Sequence, residues 1–140
     1  MKSKFIQLYS DIALRVAALS SARRLQVGAI IVRDDRIISM GYNGMPAGWD
    51  NNCESEQEDG SLKTRPEVLH AEMNALMKLA RSHESGNGAD LFITHSPCME
   101  CAKGIYQAGV HRVYYGTQYR SDQGIRFLKQ CDIQVTQTGS

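Results

Sequence analysis

His70-Ala71-Glu72, heading an apolar-periodic run, and Pro97-Cys98-Met99-Glu100-Cys101, following Leu91-Phe92-Ile93-Thr94, set architecture and chemistry together. The spacing predicts a helix from about 69 to 83 with the His-Ala-Glu triplet at its start. Leu91–Thr94 predicts a strand, 98–109 a helix stopped by Gly109, and Val113-Tyr114-Tyr115 another strand. Residues 121–130 read as a helix and Ile133-Gln134-Val135 as a last strand. This alternation argues for a largely parallel sheet with helices on both faces.

Toward the N-terminus, Ile6, Tyr9, Ile12, Ala13, Val16 and Ala17 recur at helical spacing, predicting an amphipathic helix over 3–19. Val27–Val32 and Ile37–Met40 are β-rich runs separated by Arg33-Asp34-Asp35-Arg36, the pattern of an antiparallel hairpin. Residues 43–66, rich in Gly, Asn, Glu and Asp, read as one long loop of the functional or mobile kind. At 140 residues and without repeats, the chain is expected to form a single domain over 1–140.

A formal net charge of +1 gives no general case for gripping a nucleic-acid backbone, so a small substrate is favoured. No stretch has the length or apolarity of a membrane span or a signal peptide. A cytoplasmic location with four reduced cysteines is therefore expected.

Cys98 and Cys101 stand three apart at a helix start, so both sulfurs face one way and the helix N-terminus favours their thiolates. With His70 they offer zinc two thiolates and one imidazole, leaving a position open for water; a structural zinc normally closes its shell with four protein ligands. Glu72 stands beside them as the proton-transfer group. A structural reading remains open, because Cys53, His83, His95 or His111 could complete a closed shell. The spacing matches H-x-E … P-C-x-x-C, the signature of zinc deaminases that act on nucleobases. On that reading Glu72 takes a proton from the attacking water, then protonates ring N3 and the departing amine.

The chain resembles the deoxycytidylate (dCMP) deaminases of the cytidine deaminase superfamily from about Ser20 to Val135. The likeness is carried by Gln26-Val27-Gly28-Ala29, Gly41-Tyr42-Asn43-Gly44-Met45-Pro46, His70-Ala71-Glu72-Met73-Asn74-Ala75, Pro97-Cys98-Met99-Glu100-Cys101-Ala102-Lys103 and Gln107-Ala108-Gly109-Val110. The zinc motifs indicate the superfamily, and Gly-Tyr-Asn-Gly-Met-Pro points to the dCMP branch. The resemblance implies a three-layer α/β/α fold around a five-stranded mixed sheet and conversion of dCMP to dUMP for thymidylate synthesis. It further implies a homohexamer activated by dCTP with Mg²⁺ and inhibited by dTTP.

By the same likeness Asn43 contacts the deoxyribose, the Ala71 amide holds the cytosine O2, and backbone around Ser96 accepts from the exocyclic amine. Tyr119 matches a tyrosine near the base or sugar, although a strand-end aromatic covering the core would look the same. Gly41, Tyr42, Asn43, Gly44 and Met45 resemble a segment that takes part in dCTP binding; from the residues alone they read as a strand end and turn. Arg23 and Arg24 stand where relatives carry a short polar loop near the substrate, but they depart from the usual Ser-Lys/Arg-Asp-Pro type of sequence. Each is a candidate for the 5′-phosphate or a solvated basic turn. Arg81 reads as a surface residue or an effector contact. Cys53 and His83 do not make a convincing second zinc site.

Overall fold

In the computed structural model, residues 1–139 are described; Ser140, the last residue of the expected domain, lies outside the described residues. One five-stranded sheet organises the chain: β1 (Gly28–Arg33), β2 (Arg36–Tyr42), β5 (Asp90–His95), β6 (Arg112–Thr117) and β7 (Gln134–Gln137), in spatial order β2-β1-β5-β6-β7. The pairs β5/β6 and β6/β7 are parallel, whereas β1 is antiparallel to both β2 and β5. The sheet is therefore mixed, as the resemblance implied, rather than largely parallel. The helix–strand alternation begins only at β5, and the opening hairpin contributes two strands that need no crossover.

That hairpin turns at Asp34 and Asp35, both with positive φ (52° and 59°), the backbone of a two-residue turn matched to strand twist. Side chains alternate across β1 and sort the core into two layers. Ile30 and Val32 join Tyr9, Ala13 and Val16 of α1 (Ser3–Ala17), with Phe92 stacked on Tyr114 at 4.6 Å. Ala29 and Ile31 face the other way, with Ala71, Ala75 and Leu76 of α2 (Ala71–Ala80) and Ala102 and Ile105 of α3 (Met99–Gln107). Leu128 of α4 (Gln123–Gln130) completes this second layer. The order is helix, sheet, helices: three layers with α1 alone on one face.

The expected loop over 43–66 contains a small second sheet. β3 (Glu54–Glu56) pairs antiparallel with β4 (Leu62–Thr64), turning through Asp59 and Gly60, whose φ is +83°. The strands escape a pattern search because they are three residues each and largely polar. The Asp-Gly pair was the available signal. Just outside the hairpin, Gly44 and Leu69 form an isolated bridge that returns the chain to the start of α2.

Candidate active site

The site lies at one edge of the main sheet, beyond the C-terminal ends of β2, β5 and β6, where open α/β sheets gather ligands. His70 is the N-cap of α2, and Cys98 the N-cap of α3, where its sulfur accepts from the Cys101 amide at 3.5 Å. His70 Nδ1 stands 3.2 Å from Cys101 Sγ and 3.6 Å from Cys98 Sγ. All three donor atoms fall within 4.8 Å of one another, the one such metal-ligating group among the described residues. A tetrahedral zinc with Zn–S and Zn–N bonds of about 2.3 and 2.05 Å needs N···S edges of roughly 3.6 Å. The residues fit the ion.

Gly124, in the first turn of α4, shows how closely this corner is packed. A Cβ there would meet the carbonyl oxygens of Pro97 and Cys98, at 2.2 and 2.9 Å. Only a glycine lets α4 rest on the ligand loop.

Hydrogen bonds from Cys101 and His70 draw the Cys98 thiol down to about 3. The hydrogen bond with Cys98, then burial and the neighbouring Glu72 charge, push the Cys101 thiol far up. The two shifts describe one proton shared by a coupled pair. His70 is raised, chiefly by its bond to Cys98 and against the effect of burial. A dication would expel the shared proton, because zinc takes both sulfurs as thiolates.

Glu72 is buried in the first turn of α2 and its carboxyl is raised to about 7, mainly by desolvation. A carboxyl poised near neutrality can both accept and return a proton. Next to it the Ala71 amide belongs to the first helical turn, where backbone N–H groups lack an intrahelical acceptor.

These residues open onto a cavity of about 350 Å³. Its lining includes Asn43, His70, Ala71, Glu72, Ser96, Cys98, Tyr119 and Arg24 among the expected site residues. Arg23 is outside the lining and engages Glu54 and Asn52 instead. Asn43 is also a structural knot: its Oδ1 accepts from the Val27 amide at 2.9 Å and its Nδ2 donates to the Leu25 carbonyl at 2.8 Å. The Ser96 hydroxyl accepts from the Tyr119 amide at 2.8 Å, fixing the loop after β6.

Of the segment Gly41 to Met45, only Asn43 lines the cavity. Gly41 is packed against α2, where a Cβ would lie 2.5 Å from the Ala71 carbonyl oxygen, and Tyr42 is exposed. Cys53 is buried in the cavity wall with its thiol raised by burial, and among the described residues it joins no metal-ligating group with His83. Glu54, Thr64 and Arg120 are among the lining residues that the sequence did not single out, and His95 stood out only as a possible fourth ligand of a closed zinc shell. His95 is drawn down by burial and sits edge-on to Tyr119, with ring centroids 6.2 Å apart. It directly follows a predicted strand, three residues before the first cysteine, and that position is the signal that could have placed it at the cavity.

Residues 3–117 match the family model described as the cytidine and deoxycytidylate deaminase zinc-binding region. The chain belongs to the cytidine and deoxycytidylate deaminase family. Its fold is shared with the dCMP deaminase of cyanophage S-TIM5, crystallised with dCMP and dUMP: TM-score 0.91, 46% identity, 99% of both chains. ComE operon protein 2 of Bacillus subtilis is 41% identical over 110 residues, 76% of this chain and 56% of that protein. The deoxycytidylate deaminase of phage T4 is 32% identical, over 78% of this chain and 76% of that enzyme. The three-layer architecture is thus the cytidine-deaminase-like fold, and this family member is a zinc-dependent deaminase.

Proposed function

We propose that this deaminase hydrolyses dCMP to dUMP and ammonia, supplying dUMP for thymidylate synthesis. One observation carries the reading: near full-length likeness, at 46% identity, to a phage enzyme crystallised with that substrate and product. The site supports it, since one cavity is lined by His70, Cys98, the buried Glu72 carboxyl and the Arg24 cation, with the third ligand, Cys101, buried directly behind His70 and Cys98.

His70, Cys98 and Cys101 would hold the zinc, which when bound would supply an activated water nucleophile at neutral pH. Glu72 takes one proton from the attacking water and passes it to ring N3. It then takes the second from the hydroxyl added at C4 and passes it to the amine, which leaves as ammonia as the C4–N bond breaks and the C4 carbonyl forms. The Ala71 amide donates to the cytosine O2 and fixes the ring against Glu72. Backbone around Ser96 accepts from the exocyclic amine, which separates an amino-substituted base from its oxo product. Asn43 and Tyr119 border the sugar, and the Arg23–Arg24 segment faces the 5′-phosphate.

The reading extends to regulation and assembly: a homohexamer, activated by dCTP with Mg²⁺ through the Gly41–Met45 segment and inhibited by dTTP. Residues 1–140 act as one domain, working in the cytoplasm on free nucleotides rather than nucleic acid. Among the described residues no helix is long and apolar enough to cross a membrane. Ammonia release from dCMP and deoxycytidine, each with and without dCTP and Mg²⁺, tests the proposal. Turnover of dCMP that rises with dCTP is the expected result. Turnover without a dCTP response would remove the regulation and keep the enzyme. No release from either substrate, with zinc bound, would overturn the substrate assignment.

A further inference from the structure

Glu54 is a buried carboxylate that the deamination chemistry does not use. Its residue is 2% exposed, yet it lines the catalytic cavity from the first position of β3. One oxygen, Oε2, accepts from the backbone amides of Arg23 (3.0 Å) and Arg24 (3.2 Å). The other, Oε1, meets Arg23 Nε at 3.4 Å. A buried anion held this way is a fixed anchor, because charge-assisted bonds are stronger and more directional than neutral ones.

The two arginines consequently differ. Arg23 is the counter-charge: its guanidinium pairs with Glu54 and donates to Asn52 Oδ1 at 3.2 Å, and it lies outside the cavity lining. Arg24 lines the cavity and has no carboxylate partner within ion-pair distance among the described residues. Its guanidinium is steadied through Nη1 on Thr64 Oγ1 at 2.9 Å. Thr64 is the direct cross-strand partner of Glu54, so one rung of the hairpin holds Arg24 at both its backbone and its side chain. With Nη1 occupied, Nε and Nη2 still present the paired donors that suit a phosphate.

We infer that Glu54 is a positioning residue that sets Arg24, and not Arg23, toward the 5′-phosphate of the nucleotide, through the Glu54–Thr64 rung of the β3–β4 hairpin. This rests on the reading of dCMP as substrate.

The test compares dCMP with deoxycytidine, which lacks the phosphate, in Glu54→Ala, Glu54→Gln and Arg24→Ala, with bound zinc measured in each. Wild type is expected to prefer dCMP. Glu54→Ala should lose at least tenfold more kcat/KM on dCMP than on deoxycytidine, with the loss in KM and zinc near one per chain. Glu54→Gln, which keeps an acceptor for the two amides, should recover part of that loss. Arg24→Ala changes an exposed side chain and should reproduce the loss even if Glu54→Ala fails to fold. Binding of the product dUMP, measured calorimetrically, should weaken tenfold or more in Arg24→Ala.

A wild type that does not distinguish the two substrates would overturn the dCMP reading itself. A wild type that does, with the preference intact in Arg24→Ala or Glu54→Ala, would overturn the positioning role alone. Equal losses on both substrates in Glu54→Ala would reduce Glu54 to a structural group and also sink the inference.

Discussion

The two walls of the cavity are built differently. The zinc wall consists of the first turns of α2 and α3, backed by the buried layer of Ala71, Ala75, Ala102 and Ile105 on the main sheet. The opposite wall is a polar hairpin with three-residue strands, joined to the rest through Glu54, Thr64 and the Gly44–Leu69 bridge. The contrast assigns them separate tasks. Bond-making geometry is fixed on elements that cannot shift without disturbing the core. Recognition of the substrate periphery is placed on a segment whose few polar contacts can be changed one at a time.

The sharpest way to test that division is to remove the proton carrier alone. Glu72→Ala should cut turnover by at least about 10³-fold, while zinc stays near one per chain, because the three ligand atoms belong to other side chains. Loss of zinc in this variant would mean the wall is not rigid and that Glu72 helps to shape it. No comparable loss of turnover is expected from any single hairpin substitution.

A second test uses the cost of keeping that wall dry. In the metal-free protein burial raises the Glu72 carboxyl from 4.5 to about 7. The folded state then holds a proton that the unfolded chain has released, so this group's contribution falls as pH rises from about 4.5 to 7 and is level above. Glu72→Gln removes the titration. Metal-free Glu72→Gln should therefore match wild type near pH 4 and exceed it by up to about 3 kcal/mol above pH 7. Urea denaturation at a series of pH values reads this directly. A difference independent of pH would show that water reaches the carboxyl.

How much of each wall was legible in the sequence follows from the same contrast. His70, Cys98 and Cys101 could be grouped because each sits at a helix start, and helix starts are announced by short-range patterns. The hairpin wall has no such announcement. Its decisive contact joins Glu54 to Arg23 and Arg24 across some thirty positions, with no periodicity linking them. Arg23 and Arg24 therefore read as equivalents, and only their partners separate them. Asn43 was legible as a turn residue and, by resemblance, a sugar contact. That its amide ties Leu25 to Val27 depends on how β1 and β2 close beside each other, which no local pattern records.

Packing at the zinc wall offers a smaller perturbation. Gly124→Ala places a methyl group against the Pro97 and Cys98 carbonyls, and overpacking of this kind costs about 1–3 kcal/mol. Because the strained backbone carries a ligand, zinc affinity should fall together with thermal stability. Competition with a chromogenic chelator, set beside the melting temperature, reads both. A loss of stability with unchanged zinc affinity would uncouple α4 from the ligand loop.

The smallest effect belongs to the hairpin. Thr64→Val keeps the shape of the side chain but removes the oxygen that accepts from Arg24 Nη1. A single hydrogen bond to a part-exposed cation is worth about 0.5–1.5 kcal/mol, so kcat/KM for dCMP should drop roughly two- to tenfold. Deoxycytidine, lacking the phosphate, should register less of the change, and zinc content none. If both substrates fell together, the Thr64 hydroxyl would be shaping the whole cavity. The two walls would then act as one unit, and their division of tasks would fail at the residue where the hairpin holds Arg24.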